Sequence, residues 1–275
     1  MDSMKPRLLT AAIGIPAAIL VLILGEFFHG LLFIIIGAFC AIMILEILAA
    51  KHLHKNLKIF IPCVLYAFVQ PTLLPFKLGM FTPYVFVLTM FIMMILFHQE
   101  ISYSDAAFAI LGTIIIVFGM TSMLIAPNSY HGYFILFFII TLAVPWAADG
   151  GAYFAGVFLG KHKLCPNISP KKTVEGFVGG ILGGIISALI IAVIFNAVSQ
   201  TAKLNVALML LLGAIVSVVS VIGDLSFSLV KRSCGIKDFG SFFPGHGGVL
   251  DRFDSVIFTA PIVYFMVKFL PLFVL

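Results

Sequence analysis

Charged residues are scarce in this sequence. Asp, Glu, Lys and Arg make up only 10% of its 275 residues, whereas 62% are hydrophobic, and the mean hydropathy is +1.22. Soluble globular chains carry about 25% charged residues, so the composition excludes a soluble domain. The apolar runs are continuous, without the alternation of barrel strands. We therefore predict an all-α polytopic membrane protein.

Cysteine is also rare. The four cysteines show no C-x-x-C or other metal-ligand spacing. Cys40 and Cys63 fall in apolar runs, as small core or lipid-facing residues would. Cys165 and Cys234 fall in loops that we place in the cytosol, where disulfides are not expected. The sequence also lacks an internal repeat, a low-complexity tract and a soluble linker.

Nine apolar segments are long enough to cross a bilayer, which takes ~20 helical residues. The first follows basic residues, as in a signal peptide, but it is longer than a typical signal core and lacks a clean A-x-A exit. We therefore predict that it is an uncleaved span. The predicted spans are 8–25, 29–49, 58–75, 79–97, 105–126, 132–158, 175–197, 204–230 and 254–273.

Basic residues are distributed unevenly over the predicted loops. The side that holds the N-terminus and the even-numbered loops has 13 of the 16 Lys and Arg residues. The other side has only Lys77 and Lys203, and Lys268 lies near the end of the last span. Cytoplasmic loops are enriched in Lys and Arg, so we expect a cytosolic N-terminus and an external C-terminus. No organelle-targeting signature is present, and a bacterial plasma membrane is the simplest location.

Polar chemistry is concentrated in the second half of the chain. We predict that residues 1–130 form a transmembrane scaffold and that residues 131–275 carry the functional site. Glu46 is the single acid well inside an early helix. It could support the site, but a snorkelling or helix-pairing carboxylate is the favoured interpretation.

The sixth span combines Pro145, Asp149, Gly150, Gly151 and Gly156 in one hydrophobic helix. Proline should kink this helix, and the small residues allow close packing against a neighbour. An intramembrane carboxylate is a functional-site hypothesis by default. Participation in a substrate or metal site is the favoured role of Asp149, and a structural hydrogen bond is the alternative.

The loop after this span reads S-P-K-K-T-V-E-G over 169–176. Thr173 is a suitable helix N-cap, and Glu175 in the first turn suits the helix dipole. Lys171 and Lys172 alone would indicate only positive-inside anchoring. Loops six and eight share a face, however, so these lysines can face the 228–254 segment. The glycines that follow indicate a helix-packing surface rather than a phosphate loop: Gly176, Gly179, Gly180, Gly183 and Gly184.

The densest polar stretch surrounds the start of the ninth span. Asp224, Ser228 and Arg232 are spaced i, i+4 and i+8, on one helical face. Asp251 and Asp254 are three apart where the next span begins. Asp224 and Asp251 thus come from two helices joined by a loop and are candidate ligands of Mg²⁺, which takes one or two protein carboxylates with water and substrate phosphate. The stretch predicts metal-assisted phosphate chemistry at a membrane surface.

At these residues the chain resembles the phosphatidate cytidylyltransferase (CDP-diacylglycerol synthase) family. The family signature is S-x-x-K-R-x4-K-D followed by P-G-H-G-G-x-x-D-R-x-D. The thirteen matching positions are Ser228, Lys231, Arg232, Lys237, Asp238, Pro244, Gly245, His246, Gly247, Gly248, Asp251, Arg252 and Asp254.

The resemblance implies that CTP and phosphatidic acid react to give CDP-diacylglycerol and pyrophosphate. The nucleophile is a phosphate oxygen that is already anionic at pH 7, so catalysis needs positioning and charge stabilisation rather than a strong base. Membrane lipids are the implied surroundings, a homodimer is suggested, and no nucleic acid is implied. The rival hypotheses are a CTP-dependent lipid kinase and a transporter of phosphorylated anions, although a transporter would normally show repeats.

The resemblance also implies residue roles. Asp224 and Asp251 would hold Mg²⁺, with Asp149, Asp238 and Asp254 supporting the site or contacting substrate, and a second cation is left open. The backbone N–H groups of Gly245, Gly247 and Gly248 would approach a phosphate oxyanion. His246 would hydrogen-bond a phosphate, orient Asp251 or form the turn, and Ser228 would cap a phosphate or bond its own helix. The expected catalytic residues are Asp224, Asp251, Lys237, His246 and Arg252. The expected CTP-binding residues are Lys171, Lys172, Ser228, Lys231, Arg232, Gly245, Gly247 and Gly248.

Overall fold

The computed structural model describes residues 29–125, 133–242 and 247–274. The fold is nearly all-α. The α-helices in these ranges are α1 (His29–Ala50), α2 (Leu57–Leu73), α3 (Thr82–Leu96), α4 (Tyr103–Ser122), α5 (Phe134–Leu159), α6 (Val174–Val198), α7 (Val206–Ser233) and α8 (Leu250–Phe269). The short strands are β1 (Lys163–Cys165), β2 (Ser169–Thr173), β3 (Lys203–Leu204) and β4 (Phe273–Val274).

Five of these helices are long and apolar enough to cross a membrane: Gly30–Ala50, Tyr103–Ser122, Phe134–Leu159, Val174–Val198 and Val206–Ser233. They match five predicted spans, so the nearly all-α fold and five candidate membrane spans are confirmed. The counterparts of the third and fourth spans, α2 and α3, have only 17 and 15 residues. The first predicted span lies outside the described residues.

The ninth predicted span differs from the structure at both ends. Helix α8 begins at Leu250 rather than at 254, so Asp251 and Asp254 both lie within its first turns. It ends at Phe269, and the residues that follow form β4, which pairs with β3 in antiparallel register, Lys203 with Val274. The loop between α5 and α6 is likewise ordered as the antiparallel β1–β2 hairpin. Apolar periodicity could not reveal these short pairings.

The chain divides into two compact units. The first comprises residues 1–124 and 233–253. Within it, α1 packs against α2 and α4, and the buried contacts include Cys40, Met43 and Ile44, each 0% exposed. Cys63 is buried on α2. Both of these cysteines are therefore core residues, one of the two roles expected for them.

The second unit comprises residues 125–232 and 254–275. Its centre is the packing of α5 against α6 through small residues. A Cβ atom built on Gly151 would lie 2.5 Å from the carbonyl oxygen of Gly179, and one on Gly183 would lie 2.6 Å from the carbonyl oxygen of Ala147. Such backbone approach requires glycine. The predicted glycine packing surface is confirmed, and it fixes α5, which carries Asp149, against α6.

Candidate functional site

Three carboxylates come together in the second unit, one from each of three helices. Asp149 lies on α5, Asp224 on α7 and Asp254 on α8, and their charges interact with one another. Asp149 is accessible at the surface, Asp224 is half-buried and Asp254 is buried. Like charges in one place repel, so the cluster requires cations or hydrogen-bond donors nearby.

Two lysines supply positive charge to this cluster. Lys172, on β2, forms an ion pair with Asp224, in which both side chains are about one quarter exposed. Lys231, near the end of α7, is only 8% exposed, and its charge acts on Asp254. The sequence predicts that Lys172 faces residues 228–254, and its observed partner, Asp224, lies one helical turn before that segment. Lys171, its neighbour on β2, is exposed.

Serines complete the surroundings of the carboxylates. Ser220 lies one helical turn before Asp224, and its Oγ donates to Asp149 Oδ1 at 3.4 Å. The backbone N–H of Ser255 donates to Asp254 Oδ1 at 2.7 Å. Sequence reasoning missed both serines. The position of Ser220 four residues before Asp224 was the available signal, since residues at that spacing share a helix face.

The β1–β2 hairpin that carries Lys172 is tied to the start of α6. Thr173 Oγ1 accepts from the Gly176 N–H at 3.0 Å, which confirms the predicted N-cap. Glu175 accepts from the backbone N–H groups of Lys161 and His162 at 3.0 and 3.2 Å, and it contacts His162 Nδ1 at 2.7 Å. A carboxylate in the first helical turn is also favoured by the helix dipole. These contacts fix both ends of the hairpin to α6.

The other part of the signature belongs to the first unit. Asp251 Oδ2 accepts from the N–H of Phe239 at 2.8 Å and from the N–H of Gly248 at 3.0 Å. Gly247 has φ of +85°, a conformation that L side chains rarely adopt. The Gly248 N–H therefore already has an acceptor, and its predicted use for a substrate phosphate would compete with Asp251.

Glu46 holds the same segment from α1. Its Oε1 accepts from the Val249 N–H at 2.9 Å and its Oε2 from the Leu250 N–H at 2.8 Å, and the residue is only 5% exposed. The snorkelling interpretation is wrong, because the side chain is buried. The alternative of a helix-pairing carboxylate fits the contacts, since Glu46 joins α1 to the start of α8. The sequence signal was the lone acid inside an apolar helix, but its partners could not be identified from it.

The remaining predicted residues have simpler placements. Ser228 is buried on α7, and Arg232 is exposed near the end of that helix. Lys237 and Asp238 are exposed in the segment after α7, and Arg252 is exposed on α8. Pro244, Gly245 and His246 lie outside the described residues.

The donor chemistry of these residues suits a hard cation. Among the described residues, no group of three or more His, Cys, Asp or Glu side chains is positioned to hold a metal ion alone. Mg²⁺ does not need such a group, because it commonly binds one or two carboxylates and completes its shell with water and substrate phosphate. The clustered aspartates therefore fit Mg²⁺ bound together with a phosphorylated substrate.

Comparison with known proteins gives one family. The model of the cytidylyltransferase family matches residues 5–270. A phosphatidate cytidylyltransferase of Bacillus subtilis is 33% identical over 97% of this chain and 98% of its own length. The phosphatidate cytidylyltransferase of Staphylococcus saprophyticus is 38% identical over 62% of each chain, and that of Synechocystis is 42% identical over 48% of this chain and 43% of its own.

Proposed function

Because this chain belongs to the cytidylyltransferase family, we propose that it transfers the cytidylyl group of CTP to phosphatidic acid, giving CDP-diacylglycerol and pyrophosphate. The observation that carries the proposal is the cluster of Asp149, Asp224 and Asp254 with Lys172 and Lys231. Carboxylates can bind the metal ion of a metal–triphosphate ligand, and lysines beside them can bind its phosphates. The similarity to a relative named phosphatidate cytidylyltransferase over nearly its whole length supports the choice of lipid substrate.

The reaction balances without a protein nucleophile. An oxygen of the phosphatidate phosphate forms a bond to the α-phosphorus of CTP. The bond from that phosphorus to the oxygen bridging the β-phosphate breaks, and pyrophosphate leaves with its electron pair. The attacking oxygen is already anionic, so the protein must position two anions and offset their repulsion.

The bases of the chain would supply this neutralisation. Lys172 and Lys231 would act among the carboxylates. Arginine is the better bidentate partner of phosphate, and lysine acts as a point charge. The exposed bases that would contact the triphosphate or the lipid headgroup are Lys171, Arg232, Lys237 and Arg252.

Asp224 and Asp251 are the proposed ligands of Mg²⁺, with Asp149, Asp238 and Asp254 in support. When bound, Mg²⁺ would offset charge on the CTP phosphates and orient them. A second cation in a paired site is compatible with the number of acids. The Oδ2 hydrogen bonds from Phe239 and Gly248 would fix the direction of the Asp251 carboxylate.

The membrane arrangement is part of the proposal. We infer nine spans, a cytosolic N-terminus, an external C-terminus and a cytosolic active site in a bacterial inner membrane. The concentration of 13 of the 16 basic residues on one side of that topology supports it. Residues 131–275 would carry most catalytic groups on the scaffold of residues 1–130, and two copies would form a homodimer.

A product assay tests the reaction. Purified protein receives α-labelled CTP, phosphatidic acid and Mg²⁺, and the label should enter a chloroform-soluble CDP-lipid as pyrophosphate is released. Asp224→Asn and Asp251→Asn should each lower the rate at least ~100-fold, since each removes a carboxylate charge from the phosphate site. Asp105→Asn is the control, because that carboxylate pairs with Lys51 in an ion pair of the first unit, in which both side chains are about one third exposed.

Each contrary result has a defined meaning. Full activity in folded Asp224→Asn or Asp251→Asn would exclude that residue as a metal ligand. Transfer of label from γ-labelled CTP to a lipid, with no CDP-lipid formed, would indicate a lipid kinase instead. Uptake of a phosphorylated anion into vesicles without any lipid product would indicate a transporter.

A further inference from the structure

The segment that contains Gly248, Val249 and Leu250 is held by a residue of the N-terminal scaffold. The two oxygens of Glu46 accept from two consecutive backbone N–H groups, at 2.9 and 2.8 Å, across 203 and 204 residues of sequence. The first N–H groups of a helix lack intrahelical partners. Glu46 therefore supplies from α1 the acceptors for the N–H groups of Val249, just before α8, and of Leu250, its first residue.

The surroundings of Glu46 are shaped to its carboxylate. A Cβ atom built on Gly240 would lie 2.6 Å from Glu46 Oε1, and one built on Gly248 would lie 2.6 Å from both oxygens. Any larger residue at either position would displace the carboxylate. Gly240 and Gly248 thus leave between them a space that the Glu46 carboxylate fills.

The contact reaches the predicted metal ligand through a short path. Gly248 directly precedes the two residues that bind Glu46, and its N–H donates to Asp251 Oδ2. Asp251 lies in the first turn of α8. The charges of Glu46 and Asp251 also interact directly. Two carboxylates therefore bind three successive backbone N–H groups, those of residues 248, 249 and 250. A shift of this backbone would change the direction of the Asp251 carboxylate.

We propose that Glu46 is a positioning residue for the cytidylyl transfer, acting through the backbone of residues 248–250 to orient Asp251. This inference rests on the proposed function. The proposal links α1 to the reaction, although this helix contains no residue of the family signature. Glu46 contacts neither substrate nor metal in this proposal.

Glu46→Gln is the first variant because it preserves size. The amide retains one acceptor oxygen but presents an NH₂ group to the second backbone N–H, which then loses its bond. We expect kcat to fall about tenfold, as for loss of one charge-assisted bond, while KM for CTP and phosphatidic acid stays within about threefold. Glu100→Gln is the matched control, because Glu100 pairs with Lys58 and is 59% exposed.

Hydrogen–deuterium exchange supplies a readout that does not depend on activity. In Glu46→Gln, the amides of residues 248–250 should exchange about tenfold faster, with unchanged exchange in α2 and α4. Faster exchange throughout the first unit would show a general structural role and would overturn the proposal. Unchanged exchange at 248–250, or unchanged kcat in a folded variant, would also overturn it.

A double-mutant cycle tests the contact itself. Gly240→Ala should lower kcat in the wild-type background because the added Cβ displaces the Glu46 carboxylate, whereas in Glu46→Ala the same change should have little further effect. Additive losses would contradict a shared contact. If wild-type protein forms no CDP-lipid, the proposed function fails. In that case, faster amide exchange confined to residues 248–250 in Glu46→Gln would still show that Glu46 holds this backbone, but the contact would have no role in cytidylyl transfer.

Discussion

Two adjacent glycines on α5 provide a sharp test of how the site is assembled. A Cβ atom built on Gly151 would lie 2.5 Å from the carbonyl oxygen of Gly179 and 3.2 Å from the Cα of Gly183. A Cβ atom built on Gly150 would meet nothing within 4 Å beyond its chain neighbours and the backbone of its own helix. The same substitution to alanine, one residue apart, should therefore have opposite consequences.

The magnitude follows from the contact. Atoms of this kind pack best at about 3.5 Å, so Gly151→Ala must move α5 and α6 apart by about 1 Å. Overpacking of this size costs about 1–3 kcal/mol, whereas alanine in an unobstructed helical position gains up to ~1 kcal/mol over glycine. Because the propensity gain is common to both variants, Gly151→Ala should be about 1–3 kcal/mol less stable than Gly150→Ala.

Function should follow the same order. Asp149 lies two residues before Gly151, and the helix that must move away, α6, directly follows the strand that carries Lys172. A displacement of 1 Å in a reacting site can cost ~100-fold in rate. We expect CDP-lipid formation to fall about 10- to 100-fold in Gly151→Ala and to change less than about twofold in Gly150→Ala.

The assay is thermal denaturation of both variants in the same detergent, followed by the labelled-CTP assay. Alanine at residue 150 is the internal control for helix propensity, expression and detergent. Equal stability and equal activity of the two variants would refute the close packing of α5 on α6. If only Gly150→Ala lost stability and activity, the tight contact would lie on the face of α5 that carries Gly150, which would contradict the packing described here.

Two further predictions concern the hairpin and the membrane topology. Lys172→Met should lower the rate about tenfold or more, because it removes the cation paired with Asp224, whereas Lys163→Met, on an exposed strand position, should change it less than about twofold; equal losses would contradict a special role for Lys172. In a cysteine-free background, Lys161→Cys should react with an impermeant thiol reagent only in inside-out vesicles and Gln200→Cys only in right-side-out ones; reaction of both from one side would refute the proposed orientation.

Much of the fold could be predicted from sequence because a lipid environment imposes a local rule. Every spanning segment must satisfy its own backbone, so long apolar runs become helices, and five were located to within a few residues. The Thr173 cap and the glycine surface of α6 are local patterns of the same kind. The densest polar segment also followed from composition, since charges are costly in an apolar chain.

Tertiary structure decided which of those residues meet. Asp149, Asp224 and Asp254 come from three separate helices, and only packing shows that their charges interact. Helix α8 starts at Leu250 instead of 254, and the N–H group of Leu250 finds its acceptor on Glu46, more than 200 residues away in sequence. A helix end is satisfied by whichever oxygen folding brings to it. Local sequence specifies that an acceptor is needed, and the fold determines which residue provides it.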